Sequence, residues 1–502
     1  MIFIKHAVSA VFESLNFKYG EKKLSLSSAL DQLLGLSEGL DRSRSPVEFI
    51  GQDPVFPSTL RLGEAASVAL AAQSVAICEV WRQRTGREQS VSINVAAAAL
   101  SLESVLLLRQ RGYPVPYPDV TYPLTNFHTC RDGRAIFLHA GYPLLRNGLL
   151  DLLNCPNNLD AINAAVLQCN SFDLEDAAAE RGQCAAVARS ADEWLAHPQG
   201  ALLATQPVVS IERIADSAPE PFAPGARPLS GVRVLDVTHV LAGPTATRTL
   251  AEQGATVLRV CSPSRPTIPG FVIDTGHGKL STLLDLTSKD DADGLRGLIG
   301  KADVFAQSYR SGAMSGLGFS ATEVATLRPG IIYLSLSCYG DEGPWGHRRG
   351  WEQLAQSATG MAVTEGSLDQ PKASPVFPND YIAGYLGAFG VTEALLRRAR
   401  EGGSYHVKVS LSRTAMWIQS FPCFSPPPTD FKVSPGVAES MAIERDTAYG
   451  RLRYLGPVPR FSETQAYWNL STAPMAANEA CWPNCPAEPK SPPIPVNATA
   501  PH

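Results

Sequence analysis

The sequence has no CxxC pair, no GxGxxG and no GxxxxGK. Those gaps argue against zinc-ribbon and thioredoxin-type sites and a simple dinucleotide or P-loop nucleotide site. Neither His239 nor His347 stands at metal-ligand spacing from another histidine or a cysteine, and no metal is expected. It also has no basic block. Its 43 Lys and Arg against 48 Asp and Glu give a net charge of -5, so neither nucleic acid nor a polybasic membrane contact is an expected partner. Met1 to Leu15 has no signal-peptide apolar core, because Lys5, His6 and Glu13 interrupt it. The most apolar later stretch, Ala65 to Val80, is shorter than a membrane span and carries Gln73 and Glu79, so it reads as a buried helix. A soluble, cytoplasmic protein is the expectation.

What is present is a globular composition, 44% hydrophobic over 502 residues, enough for several domains. Asp216 to Pro228 is proline-rich without apolar periodicity and reads as a linker. The last twenty residues hold seven prolines, and the stretch from Trp482 on reads as a disordered tail. After the linker, strands are expected at Val232–Val237, Thr256–Val260, Thr282–Leu286, Asp303–Ala306, Ile331–Leu336 and His406–Leu411, with helices between most of them. The first of those helices opens near Pro244. That alternation predicts an open, parallel, doubly wound α/β sheet. Before the linker, Thr129 to His139 reads as a hairpin turning at Asp132-Gly133, followed by short helices, a smaller α+β unit.

An internal echo crosses the two halves. Glu64 opens an alanine-rich helix ending in arginines, then a glycine turn and a strand; Asp380 opens a glycine- and alanine-rich helix with the same sequel. Glu64 to Gln89 and Asp380 to Tyr405 both span 25 positions, which suggests duplication, with chance similarity of two helices as the alternative. Asp380 itself has two readings: a helix N-cap, or a carboxylate nucleophile held ionised by the helix dipole. The glycines at 384, 387 and 390 read as a face for close helix packing. Gly346 to Trp351 reads either as a solvated loop or as one presenting cations to a phosphate. The loop Thr238 to Pro244 sits at a strand end, where open sheets bind ligands.

The run from Leu229 to Pro244, continuing through Leu250–Val260, Lys279–Leu286, Ala302–Gly312, Leu317–Phe319, Pro329–Leu336, Gly340–Trp345 and Trp351–Gly360, resembles family III CoA-transferases, the CaiB/BaiF family. The ordered agreement extends over about 190 residues. The resemblance implies CoA transfer from an acyl-CoA to a carboxylic acid through an aspartyl mixed anhydride, with Asp380 as that aspartate. It implies CoA contacts at His239, Val240, Leu241, Ala242, Lys279, Ser308, Tyr309 and, more weakly, Leu317. CoA enters as substrate, not as a tightly bound cofactor, and a homodimer is an open possibility. The family also holds 2-methylacyl-CoA racemases, which pair the aspartate with a histidine. That histidine's position falls here near Trp351 and Glu352, with His347 displaced, a departure that favours transfer.

The order of parts departs from the family's. The expected organisation is 1–122, an N-terminal region with a partial degenerate large-domain repeat carrying Glu64; 123–215, the small α+β domain; 216–228, the linker; 229–420, the CoA-binding large domain; 421–481, a C-terminal segment returning to it; and 482–502, the tail. Cys261 replaces the usual acidic residue after the second strand, and no arginine stands near Gly316. A non-catalytic relative is the other alternative to a transferase.

Overall fold

The computed structural model describes residues 25–37, 39–116, 123–429 and 435–483. The amino-terminal stretch read for a leader and the residues beyond 483 lie outside that range.

In chain order, β1 (Val47–Ile50) leads to the long helix α1 (Leu62–Thr85), then β2 (Val91–Asn94) and α2 (Val95–Ser101). The hairpin follows as β3 (Asn126–Thr129) and β4 (Ala135–Leu138), with α3 (Pro143–Leu153) and β5 (Ala185–Val187) completing a three-stranded antiparallel sheet. Gly133 takes the turn at φ 79°, where a side chain would be strained. Next come β6 (Ser210–Ala215), β7 (Arg233–Val237), α4 (Ala242–Ala251), β8 (Thr256–Cys261), β9 (Lys279–Leu283), β10 (Val304–Gln307) and β11 (Ile332–Ser337). The chain then forms α5 (Glu352–Ala358), the second long helix α6 (Pro378–Glu401), β12 (Ser404–Ser410), α7 (Leu411–Ile418) and a short β13 (Arg460–Phe461).

The large sheet has seven strands in the order β9-β8-β7-β10-β11-β12-β6. Six run parallel, and β6 pairs antiparallel with β12 at the edge. From β7 the chain winds outward through β8 and β9, then crosses back to β10 on the other side. The split between β7 and β10 is therefore the topological switch point, where ligands bind in open α/β sheets. Strand segments such as Arg233–Val237 and Val304–Gln307 are buried almost throughout, as parallel strands covered on both faces must be.

Four expectations need correction. The strand expected at Thr282–Leu286 runs earlier, over Lys279–Leu283, because the Lys279 ammonium finds partners inside and need not reach solvent. Ser210–Ala215, assigned to the small unit, instead forms the edge strand of the large sheet. The C-terminal segment does not simply return to the large domain. Its hairpin, Ala442–Thr447 with Gly450–Leu455, pairs with Arg109–Gln110, and β13 pairs with β2. The stretch after that hairpin does reach the large domain: Tyr467 N donates to Glu252 O at 3.1 Å, the Trp468 indole to Arg248 O at 3.1 Å, Gly278 N to Leu470 O at 2.9 Å, Arg259 to Ala473 O at 3.2 Å and Asn478 N to Ser281 O at 2.8 Å. Trp482, placed in the tail by composition, is buried against Leu298.

The two long helices carry the echo into three dimensions. α1 and α6 are each 24 residues and pack against each other. Both are buried along nearly their whole length, as expected for Ala65–Val80. Each is followed by a glycine, Gly86 or Gly402, then a strand that runs directly into a short helix. Asn94 caps the one after β2 and Ser410 the one after β12.

Candidate active site

α6 begins Pro378-Asn379-Asp380, so Asp380 is the third helical residue and not the cap. Phe377 holds the cap position without a side-chain cap. The N–H groups left open at such a helix start need an acceptor, and the carboxylate of Glu352, from α5, supplies it. Glu352 Oε2 accepts from Asp380 N at 2.8 Å and Oε1 from Asn379 N at 3.2 Å, while Gln356 Nε2 donates to Oε1 at 2.8 Å. With capping done by Glu352, the Asp380 side chain is left free. Its carboxylate makes no hydrogen bond or ion pair with other described residues.

Glu352 is 3% exposed and Asp380 9%. Burial pushes Asp380 up to about 7, and burial together with repulsion by Asp380 holds Glu352 well above the usual carboxylate range. Two buried carboxyls this close cannot both ionise easily, so the pair carries a proton near neutral pH. Desolvation works against the helix dipole here, so Asp380 is not held fully ionised at neutral pH.

Gly384, one turn further on, shows what α6 crosses. A Cβ there would lie 2.7 Å from Thr245 Cβ and 2.8 Å from Ala242 O. Only glycine lets α6 cross the start of α4 this closely, which sets the first turn of α6 beside the loop after β7. That loop carries the strongest backbone anomaly of the site: Val240 sits at φ 68°, unfavourable for a β-branched residue. The loop is tied across the switch point. His239 N donates to Ser308 Oγ at 2.8 Å, and Ser308 Oγ donates back to His239 O at 3.2 Å. His239 Nε2 meets Pro266 O at 3.1 Å, pinning the loop after β8.

The crevice at these strand ends gathers His239, Val240 and Tyr309, with Tyr142, Cys261 and Arg265. Arg265 lies over the Tyr309 ring at 4.6 Å and gives the crevice a cation that no motif had flagged. Of the other expected contacts, Leu241 is fully buried and Ala242 nearly so, so they offer backbone only. Leu317 is exposed on the turn Ser315–Leu317, outside the crevice. Lys279 is corrected outright. Its ammonium is buried and its three donors are spent on Asp236 Oδ2 at 2.8 Å, Pro244 O at 2.8 Å and Thr247 Oγ1 at 2.7 Å. It braces the loop from behind and cannot reach a ligand.

Between crevice and carboxyl pair stands an aromatic ladder. His139 stacks on Trp351 with centroids 4.7 Å apart, Trp351 on Tyr142 at 5.2 Å, and Tyr142 faces His239 at 6.4 Å. His139 and Tyr142 come from the small unit, so both units wall the site. In the Gly346–Trp351 loop, Arg348 is engaged with Asp176 at 2.5 Å and His347 is exposed. A network also runs from α6 into the first half. Ser104 Oγ donates to Asp274 Oδ2 at 2.7 Å and lies 3.0 Å from Tyr381 Oη, and Arg248 holds Asp274 at 2.8 Å.

Residues 229–435 match CoA-transferase family III. An acetyl-coenzyme A transferase, nodX, of Hypoxylon pulicicidum is 31% identical over 416 residues, covering 73% of this chain and 70% of that protein. The chain belongs to CoA-transferase family III. An acyl-CoA transferase of Gibberella moniliformis is 32% identical over 373 residues, covering 64% of this chain and 65% of its own. A crystal structure of Rv3272 from M. tuberculosis, at 31% identity, covers 39% of this chain and 58% of that one with a TM-score of 0.37. The mixed α/β fold with its parallel sheet stands alongside that membership, and the family match ends just past α7.

Proposed function

We propose that this family III member moves CoA from an acyl-CoA to a free carboxylic acid through Asp380. The observation that carries the reading is an unpaired, buried carboxylate at the start of α6, relieved of capping duty by Glu352 and set beside the switch-point loop. Ionised Asp380 attacks the thioester carbonyl. A C–O bond forms, the C–S bond breaks, and CoA leaves as thiolate, giving a mixed anhydride. The thiolate then attacks the aspartyl carbonyl, expels the first carboxylate and leaves an aspartyl-CoA thioester. The acceptor carboxylate attacks that thioester, and the returning thiolate takes the new acyl group, restoring Asp380. Glu352 fixes the main chain of Asp380 and retains the pair's proton while Asp380 is charged. CoA lies along His239, Val240, Ser308 and Tyr309, with Arg265 at its phosphate end. That the two fungal relatives are named acetyl- and acyl-CoA transferases supports the same chemistry here.

Hydroxylamine trapping tests this. Incubation with an acyl-CoA and hydroxylamine is expected to leave a hydroxamate on Asp380, seen by peptide mass spectrometry and absent from Asp380→Asn. CoA binding without any modification would refute the nucleophile role.

One observation favours a second reading, 2-methylacyl-CoA racemisation. His139 lies flat on Trp351, in the Trp351–Glu352 region where the racemase histidine's position falls. Burial lowers His139 to about 4, which keeps it neutral but makes it a weak base, so the reading rests on its position alone. That reading requires deuterium uptake at the α-carbon in heavy water without an acceptor acid.

A further inference from the structure

A cavity of about 340 Å³ lies on the face of the large sheet opposite α6. Strand side chains alternate between faces. α6 packs on Leu334 and Val407 through Gly387 and Gly390, whereas the cavity is lined by Ser335, Ser337, His406 and Lys408, of the opposite parity. The sheet therefore separates this cavity from Asp380.

Its floor is polar and largely satisfied. His406 Nε2 and Ser335 Oγ are 2.7 Å apart, and Gln307 Nε2 donates to Ser335 Oγ at 3.0 Å. Burial holds His406 down at about 4, so it is neutral. Lys408 Nζ sits among Glu212, Asp341 and Glu342 at 3.0, 3.3 and 4.0 Å. Arg413 is different. Its Nε donates to Gln206 O at 2.8 Å, and no carboxylate pairs with its guanidinium among the described residues. Burial pushes it down to about 10, with no anion lifting it back. A guanidinium drawn into a cavity without an anion is an unfavourable arrangement that a bound anion would relieve. Arg310 stands exposed on the cavity wall.

We propose that this cavity binds a small oxyanion, a carboxylate or phosphate carried on a compact polar molecule, with Arg413 as its principal cation and Arg310 as the second. The carboxylates around Lys408 repel a further anionic group, so the ligand has one anionic end and an uncharged or cationic remainder. The cavity shares Tyr309 with the crevice, but the proposal does not rest on the transferase reading.

Isothermal titration calorimetry on the full chain tests it with lactate, inorganic phosphate and succinate. Lactate, phosphate or both are expected to bind saturably, and which of them binds identifies the anionic group. Succinate, with its second charge, should bind more weakly than lactate. Arg413→Gln should weaken binding about tenfold, the size of one charge-assisted contact. Arg310→Gln should weaken it about threefold, and Asp380→Asn should leave it unchanged. No saturable binding of lactate or phosphate overturns the proposal, as does unchanged binding in Arg413→Gln or loss of binding in Asp380→Asn. If Arg413→Gln does not fold, Arg310→Gln and Arg413→Lys decide: weakening in either supports the site, and unchanged binding in both overturns it.

Discussion

The starts of the two long helices are built alike and charged differently. In α1, as in α6, the third residue is acidic, and its N–H donates to a buried carboxylate from an earlier segment. Glu64 N bonds Asp53 Oδ2 at 2.8 Å, just as Asp380 N bonds Glu352 Oε2 at 2.8 Å. Burial raises Asp53 to about 6, a milder version of what happens to Glu352. The difference is one cation. Arg61, at the cap of α1, lies 3.0 Å from Glu64 and stacks over Phe424, whereas Asp380 has no such partner. Glu64 is thereby spent on an ion pair, and Asp380 is kept uncompensated. The same backbone device serves stability at one helix and stores an unpaired carboxylate at the other.

The contrast can be broken most severely at Asp380. Asp380→Asn should lower acyl-CoA turnover by about three orders of magnitude or more, while Glu64→Gln should leave it near wild type; steady-state kinetics on both decides whether the two starts are inequivalent. Glu352→Gln comes next. It keeps the acceptor oxygen for the helix start and, because Glu352 already holds its proton when Asp380 ionises, removes no charge, so the pH midpoint of Asp380 acylation, set by burial and expected near 7, should stay within about half a unit. A midpoint that falls by a unit or more in the pH–rate profile would show instead that an ionised Glu352 raises Asp380.

Stability should follow the same logic. Asp380 has a folded value of about 7 against an ordinary carboxylate near 4, so its protonated form favours the fold. Its contribution is present below about pH 4 and is lost as pH rises toward 7. Denaturant unfolding at pH 4.5 and 7.5 should show wild type losing more stability over that interval than Asp380→Asn. The smallest effect on activity belongs to Arg61→Gln. The pair is largely buried, and Arg61 also donates to Pro422 O at 2.9 Å, so its loss should cost about 1–3 kcal/mol by thermal denaturation and leave activity intact.

Much of this was legible in the chain. Strand-helix alternation after the linker marks the parallel sheet, and the hairpin at Asp132-Gly133 and the echo of Glu64 in Asp380 each correspond to observed elements. What could not be read is what distance in the chain conceals. Glu352 and Asp380 are 28 residues apart, and no spacing rule says that one caps the other's helix. Lys279 stands at a position where the family resemblance implies a CoA contact; only its meeting with Asp236 and Thr247 shows that its ammonium is spent inside. Trp482 sits in a proline-rich context, and tertiary burial overrides that composition. Arg265 has no motif at all, and only the fold of the loop after β8 brings it over Tyr309.

The contact from Ser104 to the Tyr381 hydroxyl, next in the chain to Asp380, has a practical consequence for anyone cutting the gene. Residues 229–435 are the part that matches CoA-transferase family III, yet a fragment with those ends would strip α6 of α1 and lay bare the buried apolar face between them. The boundary of the family match is not a boundary of folding. Expression of that fragment alone should give insoluble protein, and co-expression with residues 1–228 is the rational rescue.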